Sequence, residues 1–403
     1  MTTSHAVVIG SGIGGLTAAV ALCRSGWEVT VLERSPSLEP IGAGISLAPN
    51  SQRALDVIGL GDAVRDLAGW QGDGGMRTPS GRWLARTDSA AAAARFGGPL
   101  VLLPRSALVE LLRAGLPGAA VRTGTSALLV DAGHAGGRRA VVRTPSGDIE
   151  ADLVVGADGI RSGVRAALFP RHPGPSYSGF TTWRVLAPAP ERPFPSHETW
   201  GRGSLWGSHP MKDGRIYAYA AATAPAGARA ADDEKAELLR RFGDWHHPVP
   251  EIIEAVEPGQ VLRHDVHQMT VPLPAFHGGR TVLVGDAAHA MAPTLGQGGN
   301  QAIEDAVVLA HHMAPEADQR AAAAAYSADR QPRTTAIVRK AARVSRMMQL
   351  SSRPAVTLRA GLMSAASRLG PGLVLRAFDG IADWEPPRRT YAAGTREGQR
   401  TRP

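Results

Sequence analysis

The 403-residue sequence predicts a mixed α/β fold: an open, mostly parallel sheet interleaved with a separate β-sheet region and followed by C-terminal helices. Three observations carry this expectation. Short apolar strands run into glycine-rich turns and then helices at Gly10, Gly156 and Gly285, which is the pattern of strand–turn–helix units. Between about residues 177 and 270 the chain turns to alternating strands with polar and aromatic inserts, and beyond Ala310 it reads as helical. A chain of this length exceeds one ordinary core, so two or three domains are expected.

Composition narrows the class. With 43% hydrophobic and 20% charged residues the chain is an ordinary globular protein. The single cysteine, Cys23, excludes an internal disulfide framework, fits a reducing compartment and lies in an Ala-rich stretch where it reads as core filler. The N-terminus enters a strand directly, and no window of about 18 apolar residues occurs. Neither a signal peptide nor a membrane span is expected, and the cytoplasm is the default location. The net charge of +8 is uneven: from Arg330 onward fifteen Arg and Lys face four acids, leaving the first 329 residues at −3. A solvated face is the commonest meaning of such a run, attraction of an anionic cofactor or substrate the next. Nucleic acid is disfavoured because no reading motif accompanies the charge.

The elements follow in order. A strand over 5–9 meets Gly10-Ser11-Gly12-Ile13-Gly14-Gly15, a helix over 16–24, and a second strand over 28–32 ending at Glu33. G-x-G-x-x-G between strand and helix, with an acid about 20 residues on, is the dinucleotide fingerprint. Gly10 makes the tight turn, Gly12 admits a pyrophosphate, Gly15 lets helix and sheet pack, and Glu33, with Arg34 beside it, faces the ribose hydroxyls. The acid suits FAD or NAD and disfavours the 2′-phosphate of NADP.

Gly42-Ala43-Gly44-Ile45 is too glycine-rich for a helix interior; a helix near 50–57 follows, then a hairpin over 76–86 turning at Pro79-Ser80-Gly81. Residues 89–95 read as a loop or short helix. A strand over 100–103 leads to Pro104-Arg105-Ser106, where Ser106 is expected to cap a helix over 107–116. Arg105 reaches a phosphate or ribityl chain on one reading and makes a surface ion pair on the other. Strands over 120–123, 140–144 and 149–155 come next, the last ending in GADGIRSGVR at 156–165. Strands over 198–206 and 215–222 are expected to neighbour each other around a turn near 212–214. On them Tyr217 and Tyr219 share one face, as do Trp206 and Ser208, forming either an aromatic wall over a flat substrate or the core of the second domain. Helices are expected over 232–242, 248–256, 321–326, 333–350 and 355–369.

The stretch TVLVGDAAHAMAPTLGQGGNQAIEDAVVLA at 281–310 organises the rest. A strand runs into Gly285-Asp286, a loop holds Pro293, and Gly296, Gly298 and Gly299 open a helix near Asn300. Most strand-to-helix connections in such units take about 2–6 residues, so the longer one here reads as a binding site. Glycines let the backbone approach a ligand, and the helix N-terminus favours an anion or polarised carbonyl.

These motifs together resemble the FAD-dependent monooxygenases of the p-hydroxybenzoate hydroxylase type, the group A flavoprotein hydroxylases. GADGIRSGVR matches that family's dual FAD and pyridine-nucleotide motif, and GDAAH at 285–289 its second FAD motif. The resemblance covers about residues 5–330. Gly42–Ile45 with Pro49-Asn50, Tyr177-Ser178-Gly179-Phe180 with Trp183-Arg184, and Pro293 to Gly299 make it closest to the branch of salicylate hydroxylase, 3-hydroxybenzoate 6-hydroxylase and zeaxanthin epoxidase. The W-x-W-x-I-P run of flavin halogenases is missing.

The resemblance implies a Rossmann-like FAD-binding domain over 1–75, 98–175 and 273–330 and a substrate-binding sheet domain over 76–97 and 176–272. A helical segment over 331–390 and a disordered tail over 391–403 complete it. It implies non-covalent FAD, transient NADH or NADPH, and O2, with a C4a-hydroperoxyflavin hydroxylating a phenolic or indolic small molecule. The alternatives are epoxidation of an alkene or terpenoid on the same fold, and an FAD-dependent dehydrogenase or reductase, which the Pro293 loop disfavours. By the family pattern Asp286 and Arg105 hold the ribityl chain, Asp158 the diphosphate side, and the helix at Asn300 the flavin N1–C2=O; Gly44 belongs to the same cofactor set. Pro293 faces the substrate, while His209, Tyr217 and Arg184 are candidates for substrate activation by region. His289 reads as structural. Thr294 stands where purine-oxidising relatives carry an acid. No metal, nucleic acid or stable membrane insertion is expected, and the chain is expected to be a monomer or homodimer.

Overall fold

The computed structural model describes residues 4–38, 44–70, 72–134, 136–368, 370 and 375–387; Gly42, Ala43 and the tail 391–403 lie outside them. Its central sheet has six strands in the order 277–278, 281–283, 153–156, 5–9, 28–32 and 121–122. His5–Ile9 is parallel to both neighbours, with Val8 opposite Val155 on one side and Val31 on the other. These strands are buried almost throughout, packed by the helix after the first strand and by residues of a three-stranded sheet over 128–131, 140–144 and 147–151, so they read as unbroken apolar runs rather than alternating ones. Thr281–Leu283 adds in parallel beside Leu153–Gly156. The three glycine-marked strand ends therefore lie side by side along one carboxyl edge, where open α/β sheets bind ligands.

The helix after the first strand runs Ile13–Arg24, starting within the glycine turn rather than at Leu16. Close packing explains it. A β-carbon on Gly15 would stand 2.0 Å from the Gly10 carbonyl oxygen, so helix and strand meet without a side chain between them. Burial pushes the Cys23 thiol up to about 11, in keeping with filler.

A seven-stranded sheet forms the second layer, in the order 262–268, 176–188, 215–223, 204–210, 197–200, 74–77 and 83–87. The expected hairpin over 76–86 is present, and its Gly74–Arg77 strand joins the larger sheet by pairing parallel to His197–Trp200. The strand expected over 198–206 is instead two strands, His197–Trp200 and Ser204–Pro210. Gly203, at φ +63°, makes the turn between them. One face of this sheet packs Trp183, Trp206 and Ile216 against helices Glu234–Phe242 and Val249–Glu254. The other faces the central sheet across a cavity.

Three further expectations are corrected. Residues 149–155 are two strands, Gly147–Ala151 and Leu153–Gly156, in different sheets. Asp152 marks the switch by accepting the His5 N–H at 3.1 Å and pairing with Arg139 at 2.9 Å. Ser106 caps nothing: the helix is Arg105–Ala114 and begins directly after Pro104. The helices expected over 321–326 and 333–350 are one, Gln319–Met348, running through Pro332. A proline inside a helix costs about 3 kcal/mol. Here Arg330 and Arg333 on either side of it are held by buried acids of the neighbouring helix, which fixes the backbone through the break. No helix among the described residues is long and apolar enough to cross a membrane.

Candidate active site

One cavity of about 730 Å³ lies between the carboxyl edge of the central sheet and the seven-stranded sheet. Of the residues singled out from sequence, Gly12, Gly44, Arg105, Asp286, Pro293, Gly296, Gly298 and Gly299 line it from one side and Arg184, His209 and Tyr217 from the other. Gly10, Gly15, Glu33, Asp158 and Asn300 are not among the lining residues, and Arg34 is exposed at the surface.

The fingerprint glycines divide as expected. A β-carbon on Gly10, at φ +104°, would meet the Ala157 carbonyl oxygen at 2.5 Å, whereas one on Gly12 would meet nothing within 4 Å. Gly12 thus leaves open backbone facing the cavity. The Glu33 carboxylate accepts the Ser11 N–H at 2.9 Å, the Ser11 hydroxyl at 2.7 Å and the Ser35 N–H at 2.8 Å. Burial alone would raise its pKa, but these bonds outweigh that and hold it below the usual range.

Asp286 is the first residue of the short helix Asp286–His289, after Gly285 at φ +60°. Its carboxylate opens into the cavity and has no hydrogen-bond partner among the described residues. Enclosure by protein pushes its pKa up, opposed by His289, Arg105, Arg184 and Arg165. Arg105 lies close by, its own pKa lowered by burial and by Arg184, with Asp286 and Tyr217 acting the other way. Asp158 accepts the Val164 N–H at 3.1 Å through one oxygen, while its other oxygen is buried without a partner. Arg165, the last residue of GADGIRSGVR, is structural: it donates to the carbonyls of Ile160 at 2.7 Å and Ala287 at 3.1 Å, tying that motif to the Asp286 turn.

The helix Gly298–His312 presents its N-terminus to the same space. The N–H groups of Gly298, Gly299 and Asn300 make no hydrogen bond among the described residues, and the dipole end is positive there. The Asn300 side chain faces away from the cavity. It accepts from the Ala48 N–H at 2.8 Å and donates to the Ser46 carbonyl at 3.0 Å, so this residue offers the cavity only its backbone. A β-carbon on Gly299 would stand 2.9 Å from Ile45 Cδ1.

Behind the loop is a buried ionic network that sequence reasoning missed. Asp305 accepts the Gly285 N–H at 2.8 Å and lies 2.6 Å from His289 Nε2. Its second oxygen accepts from Arg330 Nε at 2.7 Å, and Arg330 Nη1 donates to Glu304 at 2.6 Å. Glu304 also accepts from Arg333 and from Asn50. One network thus fixes both the Asp286 turn and the glycine-opened helix. Two acids in the middle of an apolar-looking helix, with Arg330 about 25 residues on, were the only trace of it.

On the sheet side, strand parity sorts the aromatics. Tyr217 and Tyr219 face the cavity together with His209, which sits opposite Tyr217 in the register. Trp206 and Ser208 point to the other face, where Trp206 packs 5.5 Å from the Phe242 ring and donates to Ser208 at 2.8 Å. The Trp206–Ser208 face thus belongs to the core of the second layer, and the Tyr217–Tyr219 face lines the cavity. Tyr219 donates to Glu198 at 2.5 Å and lies 3.3 Å from His209 Nε2; Trp200 donates to the second Glu198 oxygen at 2.9 Å. Ser196 closes the chain at 2.5 Å from His209 Nδ1. Burial, with a smaller effect from His197, drives the His209 pKa down to about 3, so its imidazole is neutral. Burial raises the Tyr217 phenol and raises Tyr219 well above the usual value, the latter also through Glu198. Glu198 had no local sequence signal; pairing of three strands brings it here.

Comparison with known proteins agrees with this geometry. Residues 3–341 match the family model described as FAD binding domain. The chain is 39% identical to the aurachin C monooxygenase/isomerase of Stigmatella aurantiaca over 91% of its own length and 96% of that protein's. It is 33% identical to the 3-amino-4-hydroxybenzoate 2-monooxygenase of Streptomyces cremeus, covering 89% and 91%. The fold is similar to that of Klebsiella pneumoniae HpxO complexed with FAD and uric acid, with a TM-score of 0.83 at 27% identity over 94% and 97% of the two chains. The chain belongs to the FAD binding domain family, and within it to the group A FAD-dependent monooxygenases.

Proposed function

We propose that this enzyme uses NADH or NADPH and O2 to hydroxylate a phenolic or related aromatic molecule held between the loop of residues 293–299 and the Tyr217–Tyr219 wall. The observation that carries the reading is the pairing, across one cavity, of free cofactor-binding groups with a polar relay built for proton removal.

The residues present fit FAD. Open backbone at Gly12 suits a pyrophosphate, the unpartnered Asp286 carboxylate suits ribityl hydroxyls with Arg105 beside it, and the buried free oxygen of Asp158 lies on the diphosphate side. Free N–H groups at Gly298, Gly299 and Asn300 suit a flavin carbonyl gaining negative charge. When bound, reduced FAD supplies activation of O2 and delivery of one oxygen atom to the substrate. The rest is done by the protein.

Gly44 and Pro293 shape the chamber and exclude water from it. Arg184 offers a cation to a substrate oxygen. The relay is polarised in one direction: Ser196 donates to His209 Nδ1, His209 Nε2–H to the Tyr219 oxygen, and Tyr219 O–H to Glu198. A phenol proton entering at this wall ends on the Glu198 carboxylate, leaving a phenolate activated toward an electrophilic oxygen. His209 and Tyr217 then orient and relay rather than act as resting bases. With one dinucleotide fingerprint, which FAD takes, the nicotinamide cofactor docks transiently near the cavity mouth. The single cysteine fits a reducing, cytoplasmic setting.

Epoxidation or oxygenation with rearrangement is the second reading. It is favoured by an apolar extension of the cavity along Met76, Phe96, Leu100, Leu375 and Phe378, and by the name of the 39% identical relative, both monooxygenase and isomerase. Turnover under oxygen-18 gas with a panel of phenols and indoles tests the proposal. One labelled oxygen atom in a product, with substrate-dependent NAD(P)H consumption, is expected; oxygen-independent turnover would refute it.

A further inference from the structure

Residues 330–378 hold ten Arg and Lys and not one Asp or Glu. Within this span the C-terminal helix Arg353–Arg368 is docked by one face only. Arg359, on that face, is 4% exposed and donates to the Met347 carbonyl at 2.9 Å and the Gly201 carbonyl at 2.6 Å. On the opposite face Pro354, Leu358, Gly361, Leu362 and Ala365 form an exposed stripe at helical spacing. Leu358 is 64% and Leu362 62% exposed, the two most exposed large apolar side chains described, with Met347 at 45% nearby.

The long helix that leads into this one exposes Arg339, Arg343 and Arg346 on one stripe, and Arg353 opens the C-terminal helix. None of these four makes an ion pair among the described residues. The strand Trp83–Thr87 packs beneath, with the Arg86 N–H 3.4 Å from Ser367 Oγ, and Thr87, Leu375 and Phe378 line the apolar end of the active-site cavity. The patch therefore adjoins the cavity's apolar end.

From this we infer that the Leu358–Leu362 face, with its flanking arginines, docks the enzyme peripherally on an anionic lipid surface. Charge selects among occupants. A second copy would bring a like-charged face against this one, whereas anionic headgroups complement it while acyl chains receive the leucines. The helix is too short and too basic to cross the bilayer and lies in the interface plane. Docking would present the apolar end of the cavity to substrates dissolved in the lipid.

Co-sedimentation of the FAD-loaded full chain with vesicles tests this. Binding is expected to phosphatidylcholine vesicles containing one-third phosphatidylglycerol, at least tenfold weaker to pure phosphatidylcholine, and weakened by salt. Leu358→Asp/Leu362→Asp and, separately, Arg343→Glu/Arg346→Glu should each reduce binding at least tenfold while FAD content and NAD(P)H oxidation in solution stay unchanged. Failure of the unaltered protein to bind anionic vesicles, or undiminished binding by the leucine variant, overturns the inference. So does a dimer in light scattering that the leucine substitutions dissociate, which would make the face a self-association surface.

Discussion

A β-carbon on Gly44 would stand 2.6 Å from Cγ of the Tyr217 ring. Gly44 begins a strand packed beside the central sheet, and Tyr217 belongs to the seven-stranded sheet. The absence of one side chain therefore sets how closely the two halves of the cavity approach. Gly44→Ala should displace the ring, with an overpacking cost of about 1–3 kcal/mol. Substrate KM should rise, and combining it with Tyr217→Leu should recover part of the loss. Strictly additive effects in that double-mutant cycle would contradict the contact.

The ionic network is a stability element. Arg330 is 1% exposed, and both acids it bonds are fully buried. Arg330→Met removes the cation shared by two buried carboxylates, leaving Glu304 to Arg333 and Asn50 and Asp305 to His289 and the Gly285 N–H, and should cost about 3–5 kcal/mol in denaturant unfolding. It should also weaken FAD retention, because Asp305 would no longer hold the Gly285 N–H rigidly. A loss below about 1 kcal/mol would show that water replaces the guanidinium.

Acid should destabilise the fold before the carboxylates of the network titrate. Burial lowers His209 to about 3 and His197 to about 4 from 6.5. Above pH 6.5 both are neutral folded and unfolded, so they do not affect stability. As pH falls below 6.5 the unfolded chain takes up protons that the folded one refuses, and stability drops by up to about 1.4 kcal/mol per pH unit per histidine. Asp305, held near 2 by His289 and Arg330 despite burial, gives stability that is fully present above its unfolded value of 3.8 and is lost only as pH falls from 3.8 toward 2. His209→Gln should flatten the decline between pH 6.5 and 4, measured by urea unfolding.

Removal of the relay's terminal carboxylate should slow chemistry without affecting cofactor. Glu198→Gln keeps the side-chain shape and the bond from Trp200, but its NH2 would face the Tyr219 oxygen and it cannot take a proton, so kcat on a phenol should fall about 10²–10⁴-fold with FAD content intact. Raising the pH toward the phenol's own pKa should restore part of it. An unchanged kcat would remove Glu198 from the reaction.

Much of this was legible in the sequence because it is local. The fingerprint at Gly10 to Gly15, the Gly285-Asp286 turn and the glycine-opened helix each read from contiguous residues whose geometry only glycine permits. Period-2 spacing put Tyr217 and Tyr219 on one face, but it could not say which face met the cavity and which, with Trp206, met the helices. Pairs joined across the fold left no trace: Glu198 meets Tyr219 by strand register, and Asp305 meets Arg330 by helix packing. Pro332 misled for the same reason, since the contacts that carry a helix through it come from Glu304 and Asp305.

The most direct test of the whole account is FAD affinity in an Asp286→Ala variant, titrated by flavin fluorescence beside Glu198→Gln. Loss of a charged hydrogen-bonding group of about 1.5–3 kcal/mol predicts a Kd raised roughly 10- to 150-fold for Asp286→Ala and unchanged for Glu198→Gln. Equal, undiminished FAD binding by both variants would contradict the placement of the flavin against Asp286 and, with it, the two-sided cavity described here.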